Sequence, residues 1–268
     1  LSSHRAANHD ALAERARHHL RAAATALLHT RGGNGRTYVL GPVGEATATA
    51  MLVHGWTGEA AFMSAFADYF VRRGMRVVLI DLPAHGLSSG VRTSLIDCAH
   101  AVGDVTEALG PIQFAVGHST GGLAALVAGG GPPLMSRAAA FEAYALIAMP
   151  DRFSDVTRAF GLEKGLSRGA QRIFERRLER LAHRRVADFT GSRLLAEAGR
   201  PAIVLHARDD AEVSFAEAGR IQSAVAGVEL AAFEGLGHRA ILYAPQVVRA
   251  VHAFLARHIE PQASRPSR

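Results

Sequence analysis

One cysteine in 268 residues leaves no partner for an internal disulfide. Cys98 falls among Leu95, Ile96, Ala99 and Val102 at helical spacing, which reads as a core position. Lysine is equally scarce: Lys164 stands alone beside 29 arginines. The formal charge is +6, yet no basic stripe is interleaved with aromatics, so no nucleic-acid partner is expected. The arginine bias, beside abundant Ala and Gly, fits the codon usage of a GC-rich genome. No apolar run approaches the roughly 18 residues of a membrane span, and no stable membrane insertion is expected. Residues 22 to 28 are apolar but short and are preceded by Asp10 and Glu14, so they do not read as an export signal and a cytoplasmic location is expected. The histidines show no convergent ligand spacing, which predicts no metal. The chain opens on Leu1 rather than Met, leaving room for residues ahead of it.

What remains is an ordinary globular composition, 49% hydrophobic and 20% charged, long enough to bury a sizeable core. Leu12, Ala16, Leu20, Ala23 and Leu27 lie at helical spacing and predict an amphipathic helix over residues 5–29, an N-terminal helical extension of about 1–30 ahead of a main domain at 31–268. From there short apolar strands alternate with helices: strands near 37–40, 49–53, 76–80, 112–116, 143–148, 202–207 and 228–233, with helices at 60–73, 95–109 and 120–128. That alternation predicts an α/β fold, a doubly wound, mostly parallel sheet with helices on both faces. The interval at about 150–200 holds helical patterns and no convincing strand. It reads as a helical lid insertion, whose longest helix at 167–187 carries Ile173, Phe174, Leu178, Leu181 and Val186 as an apolar stripe under arginines. Twelve basic and seven acidic residues fall within 151–200; the plain reading is a solvated, ion-paired face, the sharper one a positive field for anionic substrates or an acidic lipid surface.

Chemistry concentrates at Gly117-His118-Ser119-Thr120-Gly121, between the apolar strand ending at Val116 and a small-residue helix. Small neighbours allow a tight strand-turn-helix that lifts a serine hydroxyl above the sheet edge, so Ser119 is the first candidate nucleophile. Two later segments supply what such a serine needs. The buried-strand pattern Ala202 to Ala207 runs into Asp209 and Asp210, and Gly237-His238 follows the last short strand. All three lie past the carboxyl ends of strands, where an open parallel sheet binds ligands. His118 is read as pointing to the opposite side of the turn from Ser119, His54, His85 and Asp81 as structural residues that pin loops, and His206 as a packed, hydrogen-bonded residue at a strand end.

With these segments placed, the chain resembles the α/β-hydrolase fold family from about Val39 to Leu255. Five ordered motifs carry the resemblance: Met51-Leu52-Val53-His54-Gly55-Trp56, Asp81-Leu82-Pro83-Ala84-His85-Gly86, the serine turn, the Asp210 loop and Gly237-His238. It implies Ser119 as nucleophile, His238 as general base and Asp210, which stands three residues before Val213, as the acid orienting His238 in preference to Asp209. It implies an oxyanion hole from the backbone N–H groups of Trp56 and Thr120. Trp56 is a candidate pocket wall with Met149 opposite. Two departures stand out. Thr120 replaces the bulky apolar residue that many relatives carry, implying a roomier or more polar acyl pocket, and the short region before Thr49 implies fewer than eight strands.

The expected function is that of a serine hydrolase cleaving carboxylic esters, with small-to-medium acyl or monoacylglycerol-like substrates and no cofactor. An amidase or aminopeptidase, a thioesterase or a carbon–carbon bond hydrolase would use the same residues, and a catalytically silent binding protein would share only the fold. The expected partner is a small-molecule ester, and the expected assembly a monomer or homodimer.

Overall fold

Five strands are predominantly apolar rather than alternating, with polar residues such as Arg76 and His118 mainly at their ends, so each must be buried on both faces. The computed structural model describes residues 16 to 259, apart from 19, 22, 31, 32, 43, 45, 132 and 133. In it β3 (Thr49–Val53), β4 (Arg76–Ile80), β5 (Phe114–His118), β6 (Ala143–Ile147) and β7 (Ala202–Ala207) form the middle of an eight-stranded sheet. The order is β1-β2-β4-β3-β5-β6-β7-β8, with β1 (Ala24–Thr30), β2 (Gly33–Leu40) and β8 (Glu229–Phe233) completing it. β1 and β2 are antiparallel additions, and every other pair is parallel. The fold is therefore the doubly wound α/β sheet expected from the alternation of strands and helices.

Because successive side chains of a strand point to opposite faces, each central strand feeds two cores. Met51 and Val53 pack with α2 (Leu95–Leu109) and α3 (Thr120–Gly130) on one face, while Leu52 and Val116 pack on the other with α1 (Ser64–Val71) and a C-terminal helix, Pro245–Ala256. Phe66, Phe70 and Phe254 are fully or nearly fully buried in the second core, where truncation of such a ring to Ala costs about 3–5 kcal/mol. α2 starts at a capping box: Ser94 Oγ accepts from the Asp97 N–H, and Asp97 Oδ2 accepts from the Ser94 N–H at 2.9 Å. β5 begins two residues later than the apolar run suggests and reaches His118, because His118 still pairs with Ile147 of β6. That extension matters, since it carries the strand up to Ser119.

The N-terminus corrects two expectations. Most of the helix expected over 5–29 lies outside the described residues; 16–18 are helical, but 24–30 form strand β1, paired residue for residue with β2 from Ala24↔Val39 to Thr30↔Gly33. Helical spacing of Leu20, Ala23 and Leu27 competed with a glycine-rich hairpin closing at Gly33, and pairing to an exposed sheet edge won; Leu27 ends 58% exposed. The sheet consequently has eight strands, not fewer, and its domain starts upstream of residue 31.

Between β6 and β7 the chain leaves the sheet for α4 (Phe153–Glu163), α5 (Arg168–Ala182) and α6 (Gly191–Ala198), the helical interval expected at 150–200. Its stem is held by acids. Asp151 accepts from the Ser192 N–H at 2.8 Å, and Glu217 accepts from the Asp151 and Arg152 N–H groups at 3.0 and 3.1 Å. The apolar stripe expected on α5 is narrower than its sequence: Phe174 stacks on Phe160 and Val186 is buried, but Ile173 and Leu181 are 66% and 57% exposed. α4 and the segment 186–188 pack against part of α5. Among the described residues no helix is long and apolar enough to cross a membrane.

Candidate active site

Ser119 stands between β5 and α3 with φ 52° and ψ −128°, a backbone that non-glycine residues rarely adopt and that costs about 1–3 kcal/mol. The turn is tight enough that a Cβ on Gly117 would collide with Gly122, so the glycines of this segment are a steric requirement. The Ser119 N–H donates to Ile147 O at 2.8 Å, tying the turn to β6. The residue is 8% exposed, and its hydroxyl makes no hydrogen bond among the described residues.

Past the end of β7, Asp210 accepts hydrogen bonds from three donors. Its Oδ1 accepts from the Glu212 and Val213 N–H groups, both at 2.8 Å. Its Oδ2 accepts from His238 Nδ1 at 2.8 Å and faces His206 Nε2 at 3.3 Å. Burial pushes the Asp210 carboxyl upward, but hydrogen bonds from His206, His238 and the Val213 N–H outweigh it, so its pKa falls well below the usual carboxylate range and it stays ionised. With Nδ1–H given to Asp210, the neutral His238 ring keeps its Nε2 lone pair free. Asp209 instead braces the approach to His238, accepting from the Leu236 and Gly237 N–H groups at 3.3 and 3.1 Å. The two adjacent aspartates thus separate cleanly by what they touch.

The loop after β3 lies against the serine turn. A Cβ on Gly55 would meet Ser119 Cβ at 2.9 Å, and the Trp56 N–H donates to Thr120 Oγ1 at 2.8 Å. Burial and the nearby His85 push the His54 ring down to about 3, outweighing its bond to Gly55. Neutral, it donates from Nδ1 to Gly55 O and accepts the Leu82 N–H, bridging two loops. His85 donates from Nδ1 to Pro83 O and stacks edge-on to Trp56, with centroids 5.1 Å apart. Asp81 accepts from the Ala60 and Leu87 N–H groups and from the Tyr38 hydroxyl; burial raises its pKa against those bonds. These are the pinning roles read for them. Met149 is fully buried beneath Gly122 and Gly191, a core position under the turn rather than an open wall; a thioether at a strand end fills the gap those glycines leave.

Asp210 and His238 are brought into direct contact, Trp56 and Thr120 into another. Ser119 and His238 share no hydrogen bond in this structure; they are linked through His118, whose Nε2 donates to His238 O at 2.9 Å with the rings 4.7 Å apart. His118 therefore faces the His238 loop. Burial and the neighbouring His238 push His118 down to about 3, so it is a neutral donor that anchors the His238 loop. His206 is packed and hydrogen-bonded, donating to Val213 O at 2.8 Å, and it also backs Asp210 at 3.3 Å, a role that its place four residues before the acid hints at only once β7 is known to end at Ala207. A concavity of about 570 Å³ lies elsewhere, on α5 and the turn after it, lined by Arg176, Glu179, Arg180, His183, Arg184 and Arg185. Among the described residues no cluster of three or more His, Cys, Asp or Glu could hold a metal.

Comparison with known proteins gives the same architecture. A thermophilic esterase from Thermogutta terrifontis, solved with butyrate bound, superposes with a TM-score of 0.66 at 17% identity, covering 91% of this chain and 97% of that one. Est1E from Butyrivibrio proteoclasticus superposes with a TM-score of 0.66 at 15% identity over 88% of this chain and 98% of its own. The lip1 protein of Acinetobacter baumannii gives 0.69 at 19% identity over 94% and 98%. At such identities the likeness is one of fold. A serine hydrolase-like protein of Dictyostelium discoideum is 34% identical over 99 residues, which are 35% of this chain and only 28% of that protein's length. Residues 50–251 match the Alpha/beta hydrolase family, three quarters of the chain and the stretch that holds Trp56, Ser119, Asp210 and His238, and the protein belongs to that family.

Proposed function

We propose that the protein hydrolyses carboxylic esters through an acyl-enzyme on Ser119. The observation that carries this reading is the 2.8 Å bond from His238 Nδ1 to an ionised Asp210, on a loop anchored through His118 to the strained serine. Ser119 Oγ attacks the ester carbonyl carbon while its proton passes to His238 Nε2. Asp210 keeps the ring in the required tautomer and stabilises the imidazolium. The tetrahedral oxyanion forms beside Thr120 and the Trp56 loop and is held by donors there. Collapse breaks the bond to the leaving alkoxide, which takes the proton from His238 and departs as alcohol. Water then repeats the sequence on the acyl-enzyme and releases the acid and the free serine.

Esters with small-to-medium acyl chains, including monoacylglycerol-like ones, are the substrates we assign. In support, the solved neighbours include esterases, one with butyrate bound. Residues 150–200 act as the lid of this site, with Trp56 as a pocket wall. The test is hydrolysis of p-nitrophenyl esters from acetate to long acyl chains by the native protein and by Ser119→Ala. Turnover that disappears with the substitution is expected, with the chain-length profile sizing the acyl pocket. A folded native protein inert across the series would overturn the reading.

A further inference from the structure

Two donors on Thr120, the residue after Ser119, have no acceptor among the described residues. Thr120 is the first residue of α3, so its N–H has no intrahelical acceptor, and none is present among the described residues. Its hydroxyl accepts the Trp56 N–H at 2.8 Å, yet its own hydrogen has no acceptor among the described residues. A hydroxyl carries one donor and two acceptor sites, so accepting from the amide leaves the O–H free and polarises it as a donor. The Trp56 N–H, the second backbone donor that the family resemblance implies, is directed at the Thr120 oxygen.

We infer that the Thr120 side chain is catalytic: its hydroxyl, held in place by the Trp56 amide, donates to the oxyanion beside the Thr120 N–H, and Trp56 acts one bond further back. This rests on the ester-hydrolase reading above. It assigns a function to the residue at which this chain departs from the bulky apolar side chains of many relatives. No bond is made or broken at Thr120; its O–H hydrogen bond strengthens as the carbonyl oxygen takes up negative charge and relaxes when the intermediate collapses.

The experiment is steady-state hydrolysis of p-nitrophenyl butyrate by the native protein, Ser119→Ala, Thr120→Val, Thr120→Ala and Thr120→Ser, with thermal melts to establish folding. Removing one donor to an oxyanion typically lowers kcat by about 10²–10³-fold. A group that acts only in the transition state should lower kcat and leave KM nearly unchanged. We expect that pattern for Thr120→Val and Thr120→Ala, and kcat within about tenfold of native for Thr120→Ser, which keeps the hydroxyl. Either Val or Ala suffices if the other does not fold. A kcat that is unchanged in the hydroxyl-free variants makes the side chain a spectator; one that rises makes it a competitor covering the Trp56 amide; a loss in Thr120→Ser equal to that in Thr120→Val makes its role one of shape. Each of these overturns the proposal while the Ser119-dependent activity of the native protein keeps the ester reading standing. Absence of any Ser119-dependent turnover would instead fell the ester reading, and this proposal with it.

Discussion

Replacing His118 by Gln should flatten the acid limb of the stability curve by one proton. In the folded protein the His118 ring is buried and pushed down to about 3, chiefly by burial, with His238 and Arg239 adding to the effect and Asp210 and the bond to His238 O opposing it. In the unfolded chain a histidine titrates near about 6.5. The folded value lies below the unfolded one. This residue therefore contributes nothing to the pH dependence above about 6.5, destabilises progressively as pH falls, and levels off near 3, where the native ring also protonates. The slope inside that window is about 1.4 kcal/mol per pH unit, and the loss between pH 7 and pH 5 is about 2 kcal/mol. Gln keeps an N–H donor near the position of Nε2 but cannot titrate. His54 and His85, also held neutral by burial, are common to both proteins and cancel in the comparison. Urea unfolding at half-unit steps from pH 5 to 7 measures the two slopes. On acidification from pH 7 to 5 the native protein should lose about 2 kcal/mol more stability than His118→Gln, most of it below pH 6.5. Parallel curves would show that the ring is not kept neutral in the fold.

Other consequences follow from the same geometry. Ser119→Gly should raise stability in urea by about 1 kcal/mol while abolishing ester turnover, since glycine relieves the positive φ and removes the nucleophile; a destabilised variant would mean the turn stores no strain. Asp210→Asn should lower kcat by about 10⁴-fold through loss of the correct His238 tautomer, whereas Asp209→Asn should cost less than about tenfold because it only braces 236–237; equal losses would break the distinction between the two acids. If the arginines of α5 favour anionic substrates, Arg176→Gln/Arg177→Gln should raise KM for anionic esters and leave neutral ones unchanged, and an equal change for both classes would refute it.

The central strands and the helices between them could be read from sequence because burial on both faces forces uninterrupted apolar runs, and the segment from Thr49 to Ile80 follows that rule nearly residue for residue. β1 could not be, because Leu20, Ala23 and Leu27 satisfy a helical period as well as a strand does until the partner strand is known, and of β2 only residues 37–40 could be read. At the candidate site, residue type and strand-end position single out Ser119, Asp210 and His238 in the sequence, and the structure joins two of them, Asp210 and His238. The supports were not legible: His118 and His206 act through ring nitrogens directed at a carbonyl and a carboxylate brought close by the turn and the loop after β7, contacts between segments that no local pattern encodes. The Trp56–Thr120 bond was hidden for the same reason, since it joins residues 64 positions apart.

The most direct test of the account is to treat the folded protein with a p-nitrophenyl alkylphosphonate and locate the adduct by peptide mass spectrometry. The account predicts one phosphonyl group, on Ser119, formed with loss of p-nitrophenolate and absent in Ser119→Ala and in native protein unfolded before treatment. No adduct, or an adduct on another residue at the same rate in both proteins, would contradict it.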